Sequence, residues 1–241
     1  ERVVRIPLTQ LHYFKGYPAM QTEVPFTGQP YRFKDDDPKM QETLDSVKKR
    51  GVRAPGLVRP DPDGGYEIIS GHRRHRASEL AGLEDMPVII RDMTDEEAVI
   101  EMVDANIQRE KVMPSEKAWA YRMKLEAIKH QGARTDLTSV QVEQKLSARD
   151  KVAKDAGEKS GIQIMRYIRL TELIPELLDM VDEKKIAFNP AYELSFLKKE
   201  EQIQLLDAMD SEQATPSLSQ AQRLKKFSQE GRLSIDVMRA I

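Results

Sequence analysis

Strand-like sequence is confined to the first 91 residues of this 241-residue chain. Short β-branched or apolar runs predict the strands, and a turn with Pro, Asp and paired Gly at residues 60–65 separates two of them. The predicted strands are residues 3–6, 56–59, 66–70 and 86–91. From Thr94 onward apolar residues recur at helical spacing. The pattern therefore predicts an α+β domain followed by an all-α domain.

Capping signals divide the helical sequence into separate helices. Residues 37–51 predict an amphipathic helix that begins at an Asp-Pro pair and ends at Gly51. Further helices are predicted at residues 73–81, 95–109, 114–131, 140–146, 149–156, 160–172, 175–183, 191–197, 199–210 and 219–231. Because the strands cease at residues 94–114, we expect domains at 1–110 and 111–210 and a trailing helical segment at 211–241.

Composition excludes several classes of protein and site. The absence of cysteine excludes disulfides, thiolate metal sites and cysteine-dependent catalysis. No apolar run approaches the roughly 20 residues that cross a bilayer, so we expect a cytoplasmic location without membrane contact. The arginines around His72 and His75 disfavour a metal held by those histidines. Since the net charge is -2, a nucleic-acid site must be a local basic patch.

A basic helix start directly after a strand is the first candidate site. Gly71 follows the predicted strand and would let a ligand approach the backbone closely. The helix N-terminus attracts anions, and guanidinium groups form paired hydrogen bonds with phosphate. Three arginines lie in four positions there, Arg73, Arg74 and Arg76. The segment predicts a site for a nucleotide or DNA phosphate, with a solvated arginine-rich helix face as the alternative.

Two segments resemble the ParB family. Residues 71–77, Gly-His-Arg-Arg-His-Arg-Ala, are similar to the family signature Gly-Glu-Arg-Arg-x-Arg-Ala. Residues 97–121 resemble the family's Glu-Asn-x-Gln-Arg-Glu box and the Pro-x-Glu-x-Ala helix after it. The resemblance, closest to a mobile-element-like branch, implies a ParB/sulfiredoxin-like N-terminal domain followed by a helix-turn-helix domain.

The resemblance also implies a ligand and the residues that hold it. The N-terminal domain of the family binds CTP with Mg²⁺, closes a clamp on DNA and hydrolyses CTP slowly. Asn106 and Asp104 are the candidate metal ligands, and Gln29 matches a glutamine near the γ-phosphate, which makes it the catalytic candidate. The nucleotide-binding residues carried over by position are Gly71, His72, Arg73, Arg74, Arg76, Asn106 and Arg109.

Two departures from the family pattern affect this site. Ala105 stands where many members carry a metal-binding and catalytic Glu, and Asp104 is one residue earlier, about 100° away on a helix. His72 replaces the usual Glu of the signature. Three outcomes stay open: Asp104 takes over the metal, CTP binds with weak hydrolysis, or the nucleotide site is vestigial.

Residues 149–170 predict a helix-turn-helix. Ala153 and Gly157 permit the close helix crossing that the motif requires, and Ser160 begins the second helix. Ile164 and Ile168 are expected in the core, with Ile162 partly buried. The DNA-binding candidates are Lys159, Ser160, Gln163, Arg166 and Arg169, of which Gln163 and Arg166 would read bases and Lys159 and Arg169 would bind phosphates. An ordinary αα-hairpin is the alternative.

The resemblance implies a partition protein for a plasmid, mobile element or chromosome. Its expected partners are a centromere-like double-stranded DNA site, a second copy of the chain in a homodimer, and a ParA-type ATPase. Its expected location is the nucleoid or plasmid. The main rival is a helix-turn-helix transcriptional regulator with a vestigial nucleotide site, which Ala105 favours. Weaker rivals are a nuclease or kinase on the related scaffold and a partner-binding module.

Overall fold

The computed structural model describes residues 2–14, 35–107, 112–133 and 141–241, with the backbone alone at 132–133 and 141–147. The chain divides into two compact units, residues 1–108 with 126–137 and residues 109–125 with 138–241. Over the described ranges, none of the helices combines the length and the apolar character that a bilayer crossing requires.

A five-stranded mixed sheet forms the centre of the first unit. Its strands are β1 Val3–Pro7, β2 Leu11–Tyr13, β3 Gly56–Pro60, β4 Tyr66–Ser70 and β5 Asp85–Ile90. Their order is β1-β5-β3-β4-β2. The β1/β5 and β3/β4 pairs are antiparallel, whereas β5/β3 and β4/β2 are parallel. The predicted hairpin of β3 and β4 is confirmed, and both strands lie inside the sheet.

Three helices accompany this sheet: α1 Pro38–Arg50, α2 His72–Leu80 and α3 Asp95–Ile107. The Asp37 side chain accepts from the Lys39 N–H at the start of α1, and Gly51 ends it at φ 67°, as predicted from the sequence. One apolar cluster packs on the sheet and a second joins α1 to α2. Their buried members are Leu11, Val58, Ile68, Met86 and Val88 for the first, and Met40, Leu44, Val47 and Ala77 for the second.

The second unit is entirely helical over its described residues. Its helices are α5 Gln141–Asp155, α6 Gly161–Arg169, α7 Pro175–Asp182, α8 Phe188–Leu194, α9 Lys199–Glu212, α10 Leu218–Gln229 and α11 Ile235–Ala240. Helix α4, Pro114–Ala133, contributes residues to both units. One apolar core runs from Ala118 through Leu177 and Leu205 to Met238, so α11 packs into the same core as α7 and α9.

The predicted order of an α+β domain before an all-α domain is confirmed. Two helices predicted at 140–146 and 149–156 are one helix, α5, because the sequence between them contains no Gly or Pro to end it. The short strand β2 and helix α11 were not predicted. β2 has only three residues and depends on its pairing with β4, which is distant in sequence.

Candidate phosphate loop and nucleic-acid interface

The junction of β4 and α2 requires glycine. Gly71 has φ 109°, and a Cβ built on it would lie 3.2 Å from the Cα of Gly56 and 3.3 Å from an Nη of Arg74. As the N-cap residue of α2, Gly71 offers no side chain to the first N–H groups of the helix. The positive end of the helix is therefore presented by the backbone alone, as anion sites at helix N-termini require.

The three arginines of the junction have different surroundings. An Nη of Arg74 donates to the carbonyl oxygens of Ala54 and Pro55, each at 2.6 Å, and burial lowers the pKa of Arg74. Arg76 pairs with Asp35 at 2.6 Å, and Arg73 is half-buried. Arg74 thus holds the loop before β3 against the start of α2, which shapes the junction before any anion binds.

The two histidines of the junction are buried beside Tyr13. The His72 ring stacks on Tyr13 with centroids 5.6 Å apart, and His75 meets the same ring edge-on at 5.9 Å. Burial lowers the pKa of His75, opposed by Glu79 and by the Leu8 backbone, so His75 is neutral at pH 7. His72, one of the predicted nucleotide-binding residues, is only 7% exposed and packs inside the first unit.

Helix α3 carries the candidate metal ligands. Asn106 is buried, and its Nδ2 donates to the Met102 carbonyl at 2.7 Å, which leaves its side-chain oxygen as an acceptor. Asp104 is half-buried and Ala105 is exposed in a regular helix. Within the described ranges, no group of three His, Asp or Glu side chains could hold a metal. The predicted Gln29 and Arg109 lie outside the described residues.

Helices α5 and α6 form the predicted helix-turn-helix. Gly157, at φ 68°, ends α5, and the Glu158 N–H donates to the Ala153 carbonyl at 2.9 Å. The Ser160 hydroxyl accepts from the Gln163 N–H and begins α6. At Gly161 a Cβ would lie 2.6 Å from an Asp150 carboxylate oxygen and 3.0 Å from the Arg149 Cβ. Helices α5 and α6 are therefore in close contact at Gly161.

The turn of this motif is anchored to α4. Lys117 and the Tyr121 hydroxyl both donate to one carboxylate oxygen of Glu158, at 2.7 and 2.8 Å. Lys124, whose side chain is 2% exposed, donates to Asp155 at 2.9 Å. Since both acceptors lie where α5 ends, these charged pairs fix the start of the connection to α6.

The arginines of α6 contact α8 and the residues after it. Arg166 donates to the Asn189 side chain at 2.7 Å and lies over the Tyr192 ring at 4.8 Å. Arg169 donates to the Ser195 carbonyl at 3.0 Å and lies over Phe196 at 4.3 Å. These partners were not predicted from the sequence, although the aromatic residues at 188, 192 and 196 recur at a spacing of four.

The other predicted residues of α6 divide between the core and the surface. Ile164 is fully buried as predicted, and Ile168 is half-buried. The prediction that Ile162 is partly buried is wrong: it is 73% exposed, so the second position of α6 faces solvent. Lys159 is exposed and Gln163 half-buried.

Known proteins are similar to this chain over both units. Residues 24–107 match the model of the ParB N-terminal domain. The chromosome-partitioning protein Spo0J of Thermus thermophilus is 31% identical over 201 residues, which is 83% of this chain and 62% of Spo0J. The chromosome-partitioning protein ParB of Myxococcus xanthus is 36% identical over 127 residues, 53% of this chain and 38% of that protein. The chain thus spans less than two thirds of these relatives.

A solved structure shares the fold. The structure of the pNOB8-like ParB N-domain superposes with a TM-score of 0.53 at 11% identity, over 99% of this chain and 94% of that one. The predicted resemblance is confirmed by the domain model and by the long similarity to Spo0J. Residues 24–107 thus match the ParB N-terminal domain, and 83% of the chain is similar to a chromosome-partitioning protein.

Proposed function

We propose that the chain is a partition protein that binds a centromere-like double-stranded DNA site through α5 and α6, as a homodimer on two half-sites. The observation that carries this proposal is the helix-turn-helix, in which Ser160 caps α6 and Gly161 brings α6 against α5. Two proteins similar to this chain are named chromosome-partitioning proteins, and this similarity supports the same role. The exposed Lys159 is suited to a DNA phosphate, and Gln163 to an adenine edge.

Enrichment of duplexes from a random library tests this proposal. We expect one sequence to be enriched, with affinity that falls as salt rises because cations on the protein replace counterions on DNA. Lys159→Ala should lower the slope of log affinity against log salt by about one per protomer, or about two for the dimer, without changing the sequence preferred. Arg239→Ala, which removes an exposed charge on α11, is the control and should leave the slope unchanged. Failure to enrich any sequence would contradict the proposal.

We propose that the first unit binds CTP at the junction of β4 and α2. Gly71 gives a phosphate close access to the backbone, and the start of α2 supplies N–H donors and positive potential. Arg73, Arg74, Arg76 and Arg109 would bind the phosphate charge, and Asn106 would supply a buried side-chain oxygen. This arrangement fits a phosphate chain, and the resemblance to the family supports cytidine as the base.

Mg²⁺ is the metal that we propose to accompany CTP. This ion commonly takes one or two protein oxygens and completes its shell with phosphates and water. Asn106 and Asp104 offer such oxygens on α3, which fits an ion that arrives with the triphosphate rather than one held by protein alone. When bound, the ion would neutralise phosphate charge.

Calorimetric titration with CTP, ATP and GTP in the presence of Mg²⁺ tests the nucleotide site. We expect saturable binding of CTP, lost in Arg73→Ala. Arg73 is a cleaner target than Arg74, whose removal would also release the carbonyls of Ala54 and Pro55. Arg50→Ala, an exposed arginine at the end of α1, is the matched control. Equal binding of CTP by both variants would contradict the proposed site.

A second candidate function is a DNA-binding transcriptional regulator that has lost nucleotide control. The observation that favours it is Ala105, which places no ligand on α3 where many family members carry a catalytic Glu. This candidate predicts the same DNA binding but no heat with any nucleotide. The titration therefore separates the two functions.

A further inference from the structure

The outward surface of α6 is more apolar than expected for a DNA-contacting helix. Ile162, 73% exposed, and Met165, 37% exposed, are the two exposed residues of α6, whose nine residues are all described. They are three residues apart, so their side chains lie on one face of the helix. Exposed apolar side chains on one face form a contact surface, and here it lies at the start of α6.

The two arginines of α6 are directed toward α8 and the residues after it. Arg166 is hydrogen-bonded to Asn189 and lies 4.8 Å from the Tyr192 centroid, and Arg169 lies 4.3 Å from that of Phe196. These contacts hold both guanidiniums beside the aromatic face. The side chains left to project from the first turn of α6 are therefore Ile162 and Gln163, with Met165 one turn later.

An apolar side chain on a DNA-reading helix has one natural partner in the major groove. Thymine presents a C5-methyl group there, and it is the apolar feature that distinguishes an A·T pair. Gln, in turn, forms paired hydrogen bonds with the N6 and N7 atoms of adenine. Ile162 and Gln163 are consecutive residues in the first turn of α6, about 100° apart around the helix, so they suit contacts with two different bases of an A·T-containing step.

We infer that Ile162 reads a thymine methyl group in each DNA half-site, and that Gln163 reads an adenine beside it. This inference rests on the proposed DNA-binding function and names the bases that α6 selects. It also reassigns base reading from Arg166, the arginine expected to read guanine, to an apolar residue. Arg166 then acts as a positioning residue between α6 and α8.

Replacement of single thymines by deoxyuridine in the enriched duplex tests the inference, because the change removes only the C5-methyl group. When the thymine that Ile162 contacts is replaced in one half-site, we expect the wild-type chain to lose about fourfold in affinity, as expected for one buried methyl group. Ile162→Ala should bind the thymine duplex more weakly and be indifferent to deoxyuridine at that position. Ile203→Ala removes a 53% exposed isoleucine of α9 and should keep the full methyl effect.

Each outcome of this experiment either supports or overturns the inference about Ile162. A methyl effect present in the wild type and in Ile203→Ala but absent in Ile162→Ala supports the inference. An equal methyl effect in all three proteins, or no effect at any thymine, overturns it while sequence-specific binding stands. If the library yields no enriched sequence, the proposed DNA-binding function fails, and the inference fails with it. Far-ultraviolet circular dichroism verifies that both variants are folded.

Discussion

At the scale of single residues, the most demanding group in the first unit is a buried arginine. Arg59 on β3 is 8% exposed and donates to Glu67 at 2.8 Å and to Asp95 at 2.6 Å. Its guanidinium also lies 5.0 Å from the Phe14 ring centroid. Burial opposes its charge, but the hydrogen bonds to Asp95 and Glu67 outweigh this and raise the pKa of Arg59. The group therefore stays charged inside the unit.

Replacement of this arginine should destabilise the first unit strongly. Arg59→Met removes the countercharge of Glu67, whose side chain is 3% exposed, so we expect a loss of about 3 kcal/mol in the free energy of unfolding. Urea denaturation monitored by circular dichroism measures this loss. The double variant Arg59→Met/Glu67→Gln should recover part of it, because it no longer buries a carboxylate charge that has lost its arginine. A double variant less stable than Arg59→Met would contradict the interpretation that the buried charge of Glu67 causes the loss.

His75 predicts a pH dependence of stability. Its folded-state pKa is lowered, mainly by burial, below the ordinary value, so the folded state binds the proton more weakly than the unfolded state. The stabilisation is present above the unfolded pKa of about 6.5 and is lost as the pH falls through that value toward the folded pKa. We expect a lower melting temperature at about pH 5.5 than at about pH 7.5. His75→Gln should flatten this dependence, and an unchanged slope would assign it to other groups.

Ala105 predicts a gain of catalytic function. Ala105→Glu places a carboxylate on the exposed face of α3, at the position where the resemblance aligns the Glu that many members of the ParB family carry. If CTP binds here, turnover should rise by about tenfold or more, as general base catalysis allows. Release of inorganic phosphate measures it, with Ala105→Gln as the uncharged control. Equal turnover in both variants would show that the missing carboxylate is not what limits hydrolysis.

At the scale of elements, local sequence signals predicted the helices well but did not predict the tertiary contacts. The helix ends at Asp37, Gly51 and Ser160 could be predicted, because each of these residues interacts with backbone only a few positions away in the sequence. Strand β2 depends on β4, and Arg166 depends on Asn189, both distant in sequence. The family motifs predict a phosphate loop at residues 71–77, which stays a prediction, and nothing local indicated that Arg74 is held by the backbone carbonyls of Ala54 and Pro55.

The crossing of α5 and α6 gives an element-level prediction. Gly161→Ala would place a methyl group 3.0 Å from the Arg149 Cβ, so α6 must shift away from α5. We expect a loss of about 1–3 kcal/mol in stability from overpacking. We also expect roughly tenfold weaker DNA binding, because the bases would lose alignment with α6. Fluorescence anisotropy with the enriched duplex measures the affinity.

Gly157→Ala is the control for this crossing. Gly157 has φ 68° and no atom within 4 Å of an added Cβ, so its replacement strains the turn without pushing on α5. It should cost about 1 kcal/mol of stability, from the left-handed backbone, and preserve most of the DNA affinity. If both variants bind DNA equally well, the close approach at Gly161 does not position α6.

At the scale of the whole molecule, the chain joins a unit with the proposed phosphate loop to a unit with a helix-turn-helix. A ligand of one unit controls the other only if the two binding free energies are coupled, and such coupling is reciprocal. A partition protein switched by CTP therefore requires that CTP changes DNA affinity and that DNA changes CTP affinity. A regulator with a vestigial nucleotide site requires neither effect.

The most direct test of the account is DNA affinity measured with and without saturating CTP and Mg²⁺. For the enriched duplex we expect CTP to change the affinity at least about fivefold, the lower end of typical allosteric coupling. ATP and GTP should have no effect, and Arg73→Ala should remove the effect of CTP while it retains the intrinsic DNA affinity. DNA affinity that is identical with and without CTP would contradict the switch and identify the chain as a nucleotide-independent DNA-binding regulator.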